Sequence, residues 1–359
     1  MAISAHLIPV SDLKKIITLA SLAPSGENAQ PWQFKIIDNK IYQYLVPERD
    51  QSAYNFNQYA SYVANGAALE NIEIASRAMG YNATIETLPN ATDHNLIAIV
   101  TLEKSQPQNE PLYEFIEKRI TNRKPYKKEP LTAEQKKALL SQKVSEAEFL
   151  LNDDLINIQT LADVGATNEY IMLNNQSIHN FFFSHVNWTE AEENEKRYGF
   201  YIKTLELLPP AQFMFKVFSK WNRMRIFKAL GFPKMVLKQN AQIYASSGAM
   251  AAITITNTTP RDFINAGRLT QRVWLIVTKL GLSMQPMTGI LFFMLRLRGG
   301  DTTAFSPTQQ ELIKTQYKKV ETIFQVSDNK TITMMFRIGN GEAPSAQSSK
   351  YSLGKVLVS

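Results

Sequence analysis

The sequence has no cysteine in 359 residues and only four histidines, which are scattered along the chain. Without cysteine there is no disulfide framework, thiolate nucleophile, cysteine-ligated zinc or iron–sulfur cluster, and so few histidines argue against a histidine-rich metal site. No stretch approaches the roughly 18 uncharged apolar residues of a membrane-spanning helix. Residues 1–10 lack the charged start and small-residue cleavage pattern of a secretory signal. We therefore expect a cytoplasmic protein with no metal site and no integral membrane contact.

Hydrophobic residues, by contrast, are plentiful. They make up 44% of the sequence and include 19 Phe, 14 Tyr and 4 Trp, so the chain can bury enough apolar surface to offset the entropy lost on folding. Its length predicts either a large domain or two intimately packed halves. The formal charge of +7 favours anionic partners but does not by itself choose among a phosphate-bearing cofactor, nucleic acid and a membrane surface.

One pattern occurs twice along the chain. Gly66 and Gly80 are 14 residues apart, and so are Gly267 and Gly281. That spacing is about four helical turns, and apolar residues recur at helical spacing between the two glycines of each pair. The pattern predicts two equivalent amphipathic helices, each of which stops at its second glycine. Chance similarity between ordinary amphipathic helices is the alternative.

The repeat divides the chain into two unequal halves. A polar stretch at Ser105–Pro111 marks the boundary and gives an N-terminal half of residues 1–106 and a C-terminal half of residues 107–359. The C-terminal half carries an insertion at about residues 185–245. Within that insertion, Ala211–Phe232 reads as one basic amphipathic helix. Such a helix either packs as a lid over another part of the protein or lies on an anionic membrane.

Other elements echo each other in the two halves. A helix is predicted after Pro9 and another after Thr132, where Thr132 and Gln135 have the spacing of a capping box. Each half also ends in a run with the composition of a β-strand, at residues 96–102 and 331–338.

The most specific local sequence lies between the first helix and a predicted strand. It is a loop in which two prolines block helix continuation and short polar side chains flank a glycine, so it offers backbone and side-chain hydrogen bonds to a planar polar ligand. An ordinary capped loop is the alternative. The candidate ligand-binding residues of this loop are Pro24, Ser25, Gly26, Asn28 and Gln30.

A second cluster follows a segment, Leu112–Lys118, that we predict to be helical. Arg119 and Arg123 flank Thr121, and two guanidinium groups with a hydroxyl between them suit a phosphate dianion. A solvated basic helix end is the alternative.

Together the two clusters resemble the nitroreductase family of FMN-dependent oxidoreductases. In that family an Arg-x-Ser-x-Arg phosphate motif is followed by a helix and then by a Pro-Ser-x-x-Asn-x-Gln-Pro-Trp loop. The N-terminal half here has the loop, from Pro24 to Trp32, without the arginine motif. The C-terminal half has the arginine motif, as Arg119-x-Thr121-x-Arg123, without the loop.

The resemblance implies a fused pseudo-dimer. Family members bind FMN at a homodimer interface, with the phosphate on the arginine motif of one subunit and the ring approached by the loop of the other. The complementary losses in this chain therefore imply one complete FMN site between its halves. The implied fold is α+β, with mixed or antiparallel sheets flanked by helices, and the layout is most similar to the lid-bearing Acg-type subgroup.

Two further positions match the family pattern. Thr288 and Gly289 end a stretch that resembles the one beside the reactive edge of the flavin, although Thr288 replaces a common Glu. Lys350, after Ser348 and Ser349, resembles the basic residues that complete the phosphate pocket. The flavin performs the redox chemistry itself, so no separate catalytic residue is implied.

We therefore expect an FMN-dependent oxidoreductase that moves two electrons between NAD(P)H or an organic donor and a small planar acceptor such as a nitro compound, quinone or heterocycle. The expected partners are small molecules rather than nucleic acid, and the chain is either a monomer or a further homodimer. The alternatives are a protein that sequesters flavin with little turnover and a basic peripheral membrane protein without flavin.

Overall fold

The computed structural model describes residues 7–90 and 92–358. Its strands are β1 (Trp32–Ile37), β2 (Lys40–Leu45), β3 (Tyr81–Thr87), β4 (Leu96–Lys104), β5 (Lys143–Val144), β6 (Ala147–Asn152), β7 (Val186–Asn187), β8 (Phe200–Tyr201), β9 (Ala249–Ile255), β10 (Ser283–Pro286), β11 (Thr331–Gly339) and β12 (Leu357–Val358). Its helices are α1 (Val10–Ala20), α2 (Tyr59–Ala78), α3 (Ala133–Leu140), α4 (Leu155–Asn174), α5 (Gln176–Ser184), α6 (Glu190–Lys196), α7 (Pro209–Phe218), α8 (Trp221–Ala229), α9 (Phe232–Tyr244), α10 (Pro260–Lys279), α11 (Gly289–Arg298), α12 (Pro307–Phe324) and α13 (Leu353–Val356).

These elements form two five-stranded sheets. The first sheet has the order β12-β1-β2-β4-β3, and the second has the order β10-β11-β9-β6-β5. Within these two sheets neighbouring strands run antiparallel, except that β12 runs parallel to β1 with Phe34 opposite Leu357. The short strands β7 and β8 form a separate parallel pair. The expected α+β fold with mixed and antiparallel sheets flanked by helices is confirmed. The last strand of the chain therefore belongs to the sheet that is otherwise built from the N-terminal half.

The two helices predicted from the glycine repeat pack against each other. A Cβ on Gly66 of α2 would lie 2.0 Å from the carbonyl oxygen of Ile264, and one on Gly267 of α10 would lie 2.0 Å from that of Val63. The two glycines therefore allow the helix backbones to approach closely. Gly80 and Gly281 follow the helix ends with φ of +85° and +71°, as expected of glycine stops.

Most of the predicted elements are present. Thr132 and Gln135 form the predicted capping box of α3, and both predicted strands occur as β4 and β11. The predicted helix over Leu112–Lys118 is wrong, because only a 3-10 turn at Tyr113–Phe115 forms there. A segment of seven residues is too short to be stable as a helix without a strong cap, and its first residue has no side-chain cap.

The insertion also differs from the prediction of one basic helix. Ala211–Phe232 is divided between α7, α8 and the start of α9, because Lys220 adopts an extended conformation with φ −94° and ψ 116°. Phe218 packs on Phe227 and Phe232 at ring-centroid distances of 4.6 and 4.0 Å. The imidazole Nε2 of His179, on α5, lies 2.9 Å from the carbonyl oxygen of Phe218. The basic helices α7–α9 thus pack over α4 and α5 rather than directly over the loop at residues 24–31.

Of the helices that the structure describes, none combines the length and the apolar character needed to cross a lipid bilayer.

Candidate functional site

The loop of residues 24–31, called here the Pro-Ser loop, follows α1 and precedes β1. The hydroxyl of Ser25 accepts a hydrogen bond from the backbone N–H of Gln30 at 3.0 Å, which closes the loop on itself. Glu27, Asn28 and Gln30 have φ of 49°, 53° and 51°. Non-glycine residues occupy this left-handed region only when surrounding contacts hold them there. Gly26 is exposed and Pro24 is half-buried.

Those contacts come from two distant parts of the chain. The buried Gln30 side chain donates to the carbonyl oxygen of Arg197 at 2.7 Å and accepts from the N–H of Tyr351 at 2.8 Å. Asn28 donates to the carbonyl oxygen of Ser349 at 2.8 Å. Residues 185–205, called here the sealing segment, also reach the loop through a hydrogen bond from the N–H of Gly199 to the carbonyl oxygen of Glu27 at 3.0 Å. The Pro-Ser loop is therefore fixed between the insertion and the C-terminal tail.

Arg119 and Lys350, the cation pair, meet beside this loop. The Arg119 guanidinium donates to the carbonyl oxygen of Leu22 at 2.9 Å and lies over the Trp274 ring at 4.8 Å. The Lys350 ammonium donates to the carbonyl oxygen of Ala23 at 2.8 Å and to the side-chain oxygen of Asn28 at 2.9 Å. The structure thus brings the N-terminal loop together with two cations from the C-terminal half.

The cation pair is electrostatically unsatisfied. Burial lowers the pKa of Arg119 to about 10, and its buried Nε has no hydrogen-bond partner. Burial, and then the positive charge of Arg119, hold the pKa of Lys350 well below its ordinary value. Glu193 attracts Lys350, but its two carboxylate oxygens already accept hydrogen bonds from the N–H of Ser349 and the side chain of Asn187. Two buried basic groups without a dedicated counterion are costly to keep in a fold.

The other members of the arginine motif follow Arg119 in the sequence and make contacts of their own. Arg123 donates to the carbonyl oxygen of Thr204, in the sealing segment, at 3.1 Å, and burial lowers its pKa. Thr121 is half-buried between the two arginines in the sequence. Arg337 is fully buried and donates to the carbonyl oxygen of Lys124 at 2.7 Å, which fixes the backbone directly after Arg123.

A second group of polar side chains, the acidic cluster, was not predicted from the sequence. Each member either has a pKa raised by burial or forms a hydrogen bond to a residue that has one; they are Glu27, Asp50, Tyr54, Asn168, Glu169 and Tyr244. No local motif marks them, because they come from four separate segments. Glu27 is the exception that could have been found, since it lies inside the Pro-Ser loop.

Hydrogen bonds connect this cluster across the two halves. The Tyr54 hydroxyl lies 3.0 Å from the side-chain oxygen of Asn168, and the Tyr244 hydroxyl lies 3.2 Å from the Glu169 carboxylate. Burial, and then the charge of Asp50, raise the pKa of Glu27 to about 8. Burial raises the pKa of Glu169 to about 7. Oε1 of Glu27 and Oε2 of Glu169 are buried without hydrogen-bond partners, so each can carry a proton near neutral pH.

Thr288 and Gly289 lie beside the acidic cluster. A Cβ on Gly289 would lie 2.0 Å from the side-chain oxygen of Asn168, so only glycine fits at this position. Thr288 directly precedes α11, and its hydroxyl does not cap the helix. The Pro-Ser loop therefore contributes to both groups, since Asn28 contacts Lys350 and Glu27 belongs to the acidic cluster.

Sequence comparison relates the chain to proteins of Mycobacterium tuberculosis, although no family model matches it. An uncharacterized protein of that species is 24% identical over 289 residues, which are 79% of this chain and 39% of the relative. A protein named as a candidate NAD(P)H nitroreductase, acg, is 29% identical over 87 residues, which are 24% of this chain and 26% of the relative. Another candidate NAD(P)H nitroreductase is 23% identical over 127 residues, which are 35% of this chain and 37% of the relative. The chain thus spans less than two fifths of the length of these relatives.

Solved structures give weaker overlays. A nitroreductase with bound FMN from Desulfitobacterium hafniense is 10% identical, with a TM-score of 0.39, and the overlay covers 69% of this chain and 98% of that one. An iodotyrosine deiodinase bound to FMN and 3-iodo-L-tyrosine is 13% identical, with a TM-score of 0.36, and the overlay covers 67% of this chain and 95% of that one. At TM-scores below 0.5 these overlays establish no relationship by themselves.

Proposed function

We propose, from the similarity to two candidate NAD(P)H nitroreductases, that this chain is a member of the nitroreductase family, binds FMN and acts as an oxidoreductase. Its substrates are small molecules: NAD(P)H or an organic donor gives two electrons, and a small planar nitro compound, quinone or heterocycle accepts them. When bound, FMN supplies the two-electron transfer between donor and acceptor. The protein's tasks are to hold the cofactor, to exclude water and to provide protons.

The cation pair is the observation that carries this proposal. Arg119 and Lys350 are buried side by side, and the Nε of Arg119 has no partner. A phosphate dianion supplies the missing negative charge and accepts several charge-assisted hydrogen bonds, which fits the donors present. Arg123 and Thr121 add a further cation and a hydroxyl from the same motif. The phosphate end of FMN is therefore assigned to these four residues, with Ser25 and Asn28 on the facing loop.

The acidic cluster suits the redox end of the same site. A reduced organic acceptor needs protons as well as electrons, and carboxyl groups with a pKa near neutrality are suited to deliver them. Glu27 and Glu169 meet that requirement, because burial raises the pKa of each to about 8 and about 7, and each has one buried carboxyl oxygen without a hydrogen-bond partner. Gly289 lies against Asn168 of this cluster, and its backbone N–H, with Thr288 before it, would contact the cofactor ring.

We further propose that the site joins two fused halves. The division into residues 1–106 and 107–359, with the insertion at 185–245, is supported by the mutual contacts of α2 and α10 and by the origin of the site residues. The N-terminal half supplies the Pro-Ser loop, and the C-terminal half supplies the arginine motif and Lys350. In this arrangement the single chain replaces the two subunits of a symmetric dimer, whether or not it pairs again.

Flavin content tests the proposal directly. The purified protein should be yellow and should release FMN on denaturation. Replacement of Arg119 by Gln should weaken flavin binding by on the order of 2 kcal/mol, about thirtyfold, because a charge-assisted partner of the phosphate is lost. The matched control is Arg298→Gln, which removes an arginine that is paired with Glu321 on α12. Unchanged flavin affinity in Arg119→Gln, measured by fluorescence titration, would refute the assignment.

A second function, flavin sequestration with little turnover, is favoured by one observation. Three hydrogen bonds tie the Pro-Ser loop to the sealing segment, from Gln30 and Asn28 to the carbonyl oxygen of Arg197 and from Gly199 to Glu27. Such closure excludes substrates unless the segment moves. Replacement of α6 by a Gly-Ser linker should loosen the sealing segment. Menadione-dependent oxidation of NAD(P)H that appears only in this variant would favour sequestration, whereas equal turnover in both proteins would favour the enzyme.

A further inference from the structure

The net charge of the protein is concentrated in one segment. The chain has 39 lysines and arginines and 32 aspartates and glutamates. Residues 207–238 contain seven of the former and none of the latter, so the rest of the chain is balanced at 32 of each. The seven cations are Lys216, Lys220, Arg223, Arg225, Lys228, Lys234 and Lys238, and all are exposed. They lie on and between the basic helices α7, α8 and α9.

The same helices expose large apolar side chains. Phe213, Ile226, Leu230 and Met235 are 68%, 64%, 76% and 56% exposed, and Leu208, at the start of α7, is 75% exposed. Isolated exposed apolar residues are ordinary, but a group of them on one short segment marks an interaction surface. These residues contribute little to the packing of the helices that carry them.

Helical geometry separates these residues from the core. On α8, Ile226 lies about 160° around the helix axis from the buried Met224, since each residue advances by about 100°. On α7, Phe213 lies on the side away from the buried Phe218, and on α9, Met235 lies on the side away from the buried Pro233. Each of the three helices therefore has a large apolar side chain on the side turned to solvent, and exposed cations lie on the same helices.

We propose that the outer surface of α7–α9 docks on a membrane that contains anionic lipid. Basic residues near such a membrane are attracted to its surface potential, and apolar side chains among them enter the boundary between headgroups and acyl chains. A nucleic acid backbone accounts for the cations but gives no role to the exposed Phe, Ile, Leu and Met. Pairing with a second copy of this chain would bury the apolar side chains, but it would bring the seven cations of each copy together, and these repel each other. The lipid surface accommodates both features.

Vesicle flotation tests this proposal on the full chain. The protein should float with vesicles of phosphatidylcholine and phosphatidylglycerol and should stay behind with phosphatidylcholine alone. Binding should weaken as the salt concentration rises, because exposed charges are screened. Removing three cations, by Lys216→Gln with Arg223→Gln and Lys228→Gln, should reduce the affinity by roughly a hundredfold, from about 1 kcal/mol per basic residue.

Matched controls distinguish binding through this surface from nonspecific electrostatic or hydrophobic binding. The apolar variant Phe213→Ser with Ile226→Ser should lose vesicle binding. The control variant, Leu155→Ser with Ile156→Ser, changes side chains that are 71% and 78% exposed on α4. These lie beside the acidic Asp153 and Asp154 rather than among cations, so this variant should still bind vesicles. The cationic control replaces Lys314, Lys318 and Lys319 of α12 by Gln and should also bind vesicles.

Five results would overturn the proposal. These are equal flotation with neutral vesicles, no flotation at all, and flotation that survives both the cationic and the apolar variants. The fourth is a dimer in sedimentation experiments that only the apolar variant abolishes. The fifth is binding to duplex DNA. If the cationic variant weakens that binding and the apolar variant does not, the surface binds nucleic acid instead. Circular dichroism melting of each variant checks that the fold is retained, and the cationic variant, which changes only exposed side chains, remains informative if the apolar one unfolds.

Discussion

Glu27 carries two energetic costs at one position. Its backbone has φ 49°, in a region that non-glycine residues seldom occupy, and its carboxyl oxygen Oε1 is buried without a hydrogen-bond partner. Unfavourable local features that persist in a fold are commonly found at functional sites, where the surrounding structure holds them in place. Here the hydrogen bonds of Ser25, Gln30 and Gly199 hold the loop. Glu27 lies near Asp50 and Tyr54, and a buried carboxyl with a raised pKa is suited to carry a proton.

The raised pKa of Glu27 makes stability depend on pH in a defined direction. The folded carboxyl has a pKa of about 8, while an unfolded glutamate titrates near 4.3. The folded chain therefore retains a proton that the unfolded chain loses, and stability falls as the pH rises from about 5 to 9. Because Glu27→Gln removes this titration, we expect the variant to match the wild type at pH 5 and to exceed its free energy of unfolding by about 2–4 kcal/mol at pH 9.

Urea denaturation at the two pH values measures the difference. Glu103→Gln, at an exposed position of β4, is the control and should follow the wild type at both. A Glu27→Gln variant whose stability parallels that of the wild type across this range would show that the carboxyl titrates normally.

At the residue scale, local motifs made half of the site predictable. Arg119 and Asn28 each belong to a short sequence pattern, and in the structure both lie near Lys350; their role toward a cofactor stays a prediction. Glu169 and Tyr244 were missed because their pairing depends on contact between α4 and α9, which no sequence spacing encodes. Their raised pKa values arise from burial, and burial is a property of the assembled chain.

At the scale of elements, the crossing of α2 and α10 organises the molecule. Glu70 of α2 is fully buried and pairs with Arg268 and Arg272 of α10, at 3.0 and 2.6 Å. Gln271 donates to Asn71 at 2.7 Å across the same crossing. Such close polar contacts between helices require the backbones to approach, and Gly66 and Gly267 make that approach sterically feasible.

Gly66→Ala should therefore destabilise the protein, although alanine normally favours a helix by about 1 kcal/mol over glycine. The new Cβ would meet the backbone of Ile264, which cannot rotate away, so we expect a loss of about 2 kcal/mol or more. Gly165→Ala is the matched control within α4. Its Cβ would meet the terminal methyl of Met287, which can change rotamer, so its cost should stay under about 1 kcal/mol. Thermal denaturation of the two variants gives the comparison, and equal losses would contradict this account of the crossing.

Elements with strong periodicity were predictable, and short or interrupted ones were not. The 14-residue glycine spacing gave both long helices, since their buried faces extend over many turns. The segment Leu112–Lys118 has the composition of a helix but only enough length for a turn. The basic segment has one continuous amphipathic pattern, yet the chain turns at Ser219 and Lys220 so that Phe218 and Phe227 can pack together. In both segments tertiary packing, rather than the local sequence pattern, determines where the helix ends.

At the scale of the whole molecule, the two halves share one hydrophobic core. The cluster that contains Phe34 and Ile41 of the first sheet also contains Ile253 and Phe336 of the second. The C-terminal tail returns to the first sheet, where β12 pairs with β1 and Val356 is fully buried. Sequence similarity between the halves did not predict this return, because β12 has only two residues and no distinctive pattern.

We expect the protein to unfold as a single unit, in spite of its two sheets. Sixteen of the 20 residues of α2 are buried, and a large part of that surface faces α10. The fragment 1–106 alone would expose this face and would lack β12, so it should give no cooperative melting transition, while the intact chain should give one. Differential scanning calorimetry of the intact chain should yield a calorimetric enthalpy equal to the van't Hoff enthalpy. Two resolved transitions, or a fragment 1–106 that melts cooperatively, would show that the halves fold independently and that the site between them forms by docking.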